Sequence, residues 1–123
     1  MRELVRCAPP NSQFYLEDSA RKGTSPEIEG WSPAIWSTRS CIIVGCFPFM
    51  DGETEFILSD QSRDALPEPP AFDGVLDTPS RIIELSTSEW QILTRHVVPT
   101  HLTRVRIWTD HPSEPEHILV VLG

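Results

Sequence analysis

The segment Asp110-His-Pro-Ser-Glu-Pro-Glu-His117 places two histidines and three carboxylates within eight residues. These are the side chains that hold divalent metals. The His-x5-His spacing, however, matches no standard metal site, and Pro112 and Pro115 make the segment a turn between strands. Turns commonly carry His, Asp and Glu for solubility alone, so no metal ligand is expected here. A metal-binding or small-ligand-binding β-domain built on this turn stays as an alternative. His96 and His101, flanking Val97-Val98-Pro99, meet the same objection. Serine hydrolysis needs a nucleophile, a base and an orienting acid, and no Gly-x-Ser-x-Gly or Cys-His pattern marks a nucleophile. Paired carboxylates for glycoside hydrolysis would have to come from a loop that fixes no separation between them. The six glycines are scattered and form no phosphate-binding loop. The expectation is a protein with no catalytic residue, no metal and no cofactor, acting by binding.

Charge is the most informative feature. Net charge is -8 over 123 residues, which argues against direct nucleic-acid binding. Residues 1–50 carry five acids and five bases, and residues 78–123 carry five acids and four bases. Residues 51–77 carry eight acids (Asp51, Glu53, Glu55, Asp60, Asp64, Glu68, Asp73, Asp77) against Arg63 alone, a net of -7. Such a run serves either as a solvated loop or as a recognition surface that steers a cationic partner. Prolines in the same stretch would pre-organise it. The recognition reading assigns partner contact to Asp51, Glu53, Glu55, Asp60 and Asp64, with Phe56 and Trp108 as apolar anchors. For Trp108, beside Arg104 and Arg106, arginine stacking is the structural alternative.

These side chains need a scaffold, and twelve prolines leave little room for long helices. Residues 1–11 read as a lead-in. Ser12 to Glu17 reads as a first strand, followed by a loop over 18–30. At 31–36, Ser32 would cap a single turn with Pro33 at its first position, flanked by Trp31 and Trp36. Ser40 to Phe47 is apolar throughout and suits a strand buried on both faces. Asp51-Gly52 then predicts a turn into a returning strand at 55–58, making a hairpin. A long loop over 59–79 holds one short edge strand at Gly74-Val-Leu. Strands follow at 81–85, 102–109 and 117–122. Residues 87–96 fit a capped helical turn or a strand equally well. The sum is a mostly β chain, an antiparallel β-sandwich or open barrel with one or two short helical turns, in a single domain over 1–123.

Three cysteines, Cys7, Cys41 and Cys46, make an odd count that suits buried thiols in a reducing compartment better than a disulfide framework. Cys41 and Cys46, five apart on a strand, point to opposite faces. The longest uncharged run, Ser40 to Met50, is too short to span a bilayer. The opening residues show no apolar stretch of a secretory signal. The expectation is a cytoplasmic protein with no membrane partner.

The run Gln13 to Asp18 (Gln-Phe-Tyr-Leu-Glu-Asp) is followed by Trp31-Ser with Ala34 close behind. An apolar strand, an acidic return strand, proline-rich acid and a strand at Gly74 complete the order. This sequence of features resembles the competence protein J family, bacterial proteins typified by the inhibitor of a DNA-entry nuclease, with relatives that look like immunity proteins in toxin loci. The resemblance implies binding and silencing of a nuclease without catalysis. It transfers no site residue, since no binding motif matches residue by residue. The combined expectation is a small acidic inhibitor or immunity protein that occludes the active-site surface of a basic nuclease or toxin. A phage-type inhibitor of a host defence complex is a further alternative.

Overall fold

In the computed structural model of the chain, residues 2–20, 23–30 and 33–123 are described. Ten strands follow in order: β1 Arg2–Cys7, β2 Gln13–Asp18, β3 Ile35–Ser37, β4 Cys41–Gly45, β5 Thr54–Ser59, β6 Phe72–Asp77, β7 Ile82–Thr87, β8 Ile92–Val97, β9 Leu102–Thr109 and β10 His117–Leu122. They form two five-stranded sheets, β1-β5-β10-β9-β6 and β3-β4-β2-β7-β8. All pairs are antiparallel except β5 with β10, which run parallel. The result is the expected β-sandwich, open rather than barrel-shaped, with 3-10 turns at Pro10–Ser12 and Ser62–Asp64.

Alternation along each strand sends one set of side chains between the sheets. From the first sheet these include Phe56, Leu58, Leu76, Val105, Ile107, Ile118 and Val120; from the second, Phe14, Leu16, Ile42, Val44, Ile83 and Leu85. Phe14 and Phe56 meet across the layers with ring centroids 5.0 Å apart. β4 is buried along its whole length, as its composition requires. Its inner face joins this core. Its outer face, with Cys41 and Ile43, packs with Ala34, Trp36 and Tyr15 in a second cluster. Cys41 and Cys46 accordingly fall in different clusters, and burial pushes their thiols up to about 12 and about 11.

The expected hairpin between 40–47 and 55–58 does not form. β4 pairs with β2 and β3, whereas β5 pairs with β1 and β10 in the other sheet. A strand apolar on both faces is best served by a neighbour on each side and a cover on each face. The 46–53 connection therefore crosses between layers, which lie roughly 10 Å apart in such folds. The lead-in is also corrected, since β1 alternates Arg2, Leu4 and Arg6 outward with Glu3, Val5 and Cys7 inward. Ile35–Ser37 is a strand rather than part of a turn; the cap at Ser32 and the anchor Trp31 lie outside the described residues. Residues 87–96 resolve into a turn followed by β8. The Thr87 hydroxyl accepts the main-chain N–H groups of Glu89 and Gln91 there.

Each sheet has part of its outer face covered by an irregular segment, here called a strap. Residues 23–30 lie over the second sheet, where the Trp36 indole N–H donates to the Glu29 carbonyl at 2.8 Å. Residues 60–71 lie over the first, where the Trp108 indole N–H donates to the Glu68 carbonyl, also at 2.8 Å. The acidic, proline-rich stretch is thus packed structure.

Candidate binding surface at the acidic loop end

Strand directions gather four connections at one end of the sandwich. They are 8–12 (β1 to β2), 46–53 (β4 to β5), 88–91 (β7 to β8) and 110–116 (β9 to β10). Main-chain bonds tie them together: Cys46 N–H to Ser12 O at 3.0 Å and Phe47 N–H to Pro115 O at 2.8 Å. The Asn11 side chain donates to the Ser88 hydroxyl at 2.9 Å. These connections carry Asp51, Glu53, Glu89, Asp110, Glu114 and Glu116 and no lysine or arginine. All six carboxylates are on exposed residues, and none makes an ion pair among the described residues. At the tip, Phe49 and Met50 are 45% and 84% exposed, and the Phe49 N–H is fixed on the Ser12 hydroxyl at 2.9 Å.

The residues expected to form the contact surface separate. Asp51 and Glu53 stand at this end. Glu55 stands just inside it, but it is neutralised by Arg6 at 3.2 Å and His117 at 2.9 Å. The bond with His117 holds the Glu55 carboxyl below its usual value, with Arg6 adding to the effect. In turn Glu55 raises the His117 imidazole above its usual 6.5. Asp60 and Asp64 follow the far end of β5, about 17 Å further along at the usual strand rise. There Asp60 meets His96 at 3.3 Å, and Asp64 accepts the Ser59 hydroxyl at 2.6 Å and lies 3.8 Å from Arg2. Asp73 and Asp77 are likewise taken up, by Arg104 at 2.7 Å and Arg39 at 2.9 Å. Arg104 bonds both oxygens of Asp73, which lowers that carboxyl. The continuous anionic face expected from 51–77 narrows to Asp51 and Glu53, joined by a second acidic turn remote in sequence.

Both expected apolar anchors are interior. Phe56 is 0% exposed and lies between the sheets. Trp108 points outward from β9 but is only 5% exposed, because the 60–71 strap covers it. The Arg106 guanidinium lies over its ring at 5.8 Å, so arginine stacking is the arrangement found. The exposed large apolar side chains of the 46–53 connection are Phe49 and Met50. Their signal in the sequence is a pair of large apolar residues directly before Asp51-Gly52.

The 110–117 turn uses its polar atoms on itself. Asp110 Oδ1 accepts the N–H groups of Glu116 and His117 at 2.9 and 3.1 Å. His111 Nδ1 accepts those of Ser113 and Glu114 at 3.2 and 3.0 Å. Among the described residues no group of three or more His, Cys, Asp or Glu is placed to hold a metal ion. No helix among them is long and apolar enough to cross a membrane.

No protein-family profile matches the sequence, and no curated protein matches it either. Two solved structures resemble the fold. One is ComJ, the inhibitor of the DNA-degrading activity of NucA, from Bacillus subtilis. Its TM-score is 0.63 at 9% identity, covering 98% of this chain and 92% of that one. The other is the product of crocagin biosynthetic gene J, with a TM-score of 0.48 at 13% identity, covering 98% and 94%. At such identities the likeness to ComJ concerns the fold, and the chain has a ComJ-like architecture over nearly its full length.

Proposed function

We propose that this protein is a non-catalytic inhibitor that docks its acidic loop end on the cationic, phosphate-binding surface of a DNA-degrading nuclease or similar toxin. One observation carries the reading. Asp51 and Glu53 from one connection, and Asp110, Glu114 and Glu116 from another, converge with no lysine or arginine in either loop. Evenly mixed surface charge would be enough for solubility. An uncompensated cluster at one end raises association rates with a basic partner and disfavours neutral or acidic ones. Phe49 and Met50, exposed in the same connection as Asp51 and Glu53, supply contact area that binding would desolvate, and methionine adapts to an irregular surface. The ComJ-like fold supports the same reading, since that neighbour inhibits a nuclease. Occlusion is steric and electrostatic: carboxylates occupy the positions that DNA phosphates would take.

The experiment is a DNA-degradation assay with NucA-type nucleases from the source genome and with any basic protein that the immobilised chain captures there. Slowed degradation at stoichiometric inhibitor, lost on Asp51→Lys with Glu53→Lys, is the expected result. Degradation at full rate with every captured or encoded nuclease would reject the reading.

A further inference from the structure

A groove runs from the acidic end along the outer side of the first sheet, between the 60–71 strap and the 109–112 turn. Two adjoining hollows of about 460 and 230 Å3 form it, and both are lined by Glu68, Trp108, Thr109 and Asp110. The larger is walled mainly by proline faces, Pro69, Pro70 and Pro112 among them. Among the described residues, no lysine or arginine lines either hollow. In the smaller one Glu55 is already engaged by Arg6 and His117. Among the described residues, the two carboxylates common to both hollows make no ion pair with lysine or arginine, although Asp110 lies close enough to His117 to help raise its imidazole. Glu68 has no described side-chain partner, and Asp110 uses only Oδ1, on two main-chain N–H groups. Asp110 is held at its carboxylate, and Glu68 at its main chain, before anything binds. The Glu68 carbonyl takes the Trp108 indole N–H, and the Asp110 carboxylate is fixed by its turn.

We propose that this groove receives an extended, arginine-bearing segment of the partner protein, its guanidinium against Glu68 and Asp110 and its aliphatic stem on the proline walls. Charge complementarity selects the occupant: a trough edged by two carboxylates, with no lysine or arginine among its described lining residues, repels anions and leaves a neutral peptide without a counterpart. Arginine fits better than lysine. Its planar, weakly hydrated group lies flat on proline faces while pairing with carboxylates, whereas an ammonium keeps its water. Because the Asp110 carboxylate and the Glu68 main chain are fixed beforehand, part of the entropy cost of docking is avoided. The inference deepens the inhibitor reading and rests on it for the partner's being a basic protein.

Capped oligo-arginine and oligo-lysine peptides titrated into the intact protein at low salt, followed by two-dimensional NMR, provide the test. The expected result is that oligo-arginine shifts the Trp108 indole N–H and the amides of 68–71 and 109–111. Glu68→Gln and Asp110→Asn should each weaken binding roughly 3-fold. Asp51→Asn with Glu53→Gln should leave the shifts in place. Glu68→Gln alters an exposed side chain and keeps the carbonyl that holds Trp108, so its folding is not at issue. Shifts centred on 49–53, or an identical map with oligo-lysine, would overturn the groove. Groove binding without nuclease inhibition would uphold it and reject the nuclease reading. Inhibition unchanged in Glu68→Gln with Asp110→Asn would reject the groove and leave that reading standing.

Discussion

At the scale of single residues, pairing decides which carboxylates are available. Along β5 the sequence repeats acid at near-regular intervals, yet Glu55 is spent on Arg6 and His117, while Asp51 and Glu53, a few residues earlier, are not. Sequence position cannot reveal this, because Arg6 and His117 reach Glu55 only through the register Arg6↔Glu55 and His117↔Glu55. The pair has a definite pH signature. The raised His117 contributes stability that is complete below about 6.5 and is lost as pH rises through its folded value. The lowered Glu55 contributes stability present above about 4.5 and lost as pH falls through its folded value. Both contributions are therefore in place between those two values. Glu55→Gln should move the His117 titration down toward its ordinary value, read from imidazole NMR shifts; an unmoved titration would show that the pair does not form in solution. Phe56 makes the complementary point. The 55–58 strand was legible, but which of its apolar residues turns inward was not. Phe56→Ala should cost about 3–5 kcal/mol of stability by denaturant unfolding, the range for emptying an aromatic core site. The affinity of the protein that remains folded should not change.

At the scale of elements, periodicity was a good guide to the existence of strands and a poor one to their pairing. The 102–109 strand was read with its observed bounds, and the Gly74 strand sits at a sheet edge as expected. The 40–58 hairpin failed because Asp51-Gly52 is a local signal, whereas the partner of β4 is fixed by what covers its second apolar face. β1 was missed because its inward row includes Glu3, which reads as solvent-facing but bonds the Thr94 hydroxyl. The straps were the least legible of all. Proline and acid content in 59–79 indicates exposed loop, and nothing local indicates that Trp108 will draw it onto the sheet. Trp108→Phe keeps the ring's bulk and removes the N–H that holds the Glu68 carbonyl. It should lower stability by about 1–2 kcal/mol and speed amide exchange selectively over 66–71. Exchange that rises equally everywhere would mean the indole does not pin the strap.

At the scale of the whole molecule, charge is polarised rather than spread. The acidic loop end contains no lysine or arginine in its four connections. The opposite end carries Arg39 and Arg81 in its turns and Arg2 at the start of β1, and its acids are largely met by cations. Two pairs of neutralising substitutions separate the effect of this arrangement from that of net charge. Asp51→Asn with Glu53→Gln, and Asp60→Asn with Asp64→Asn, each remove two negative charges, at opposite ends of β5. Long-range attraction acts through the orientation in which a partner arrives, and it is screened beyond roughly 10 Å at ordinary salt. The first pair should therefore slow association with a basic partner several-fold at low salt, with the difference shrinking as salt is added. The second pair should leave the association rate near that of the unsubstituted protein, although it loses the Ser59 and His96 contacts and some stability with them. Stopped-flow association across a salt series reads both. Equal slowing by the two pairs would mean that the partner senses only the total charge. The convergence of the 46–53 and 110–116 loops would then have no bearing on recognition.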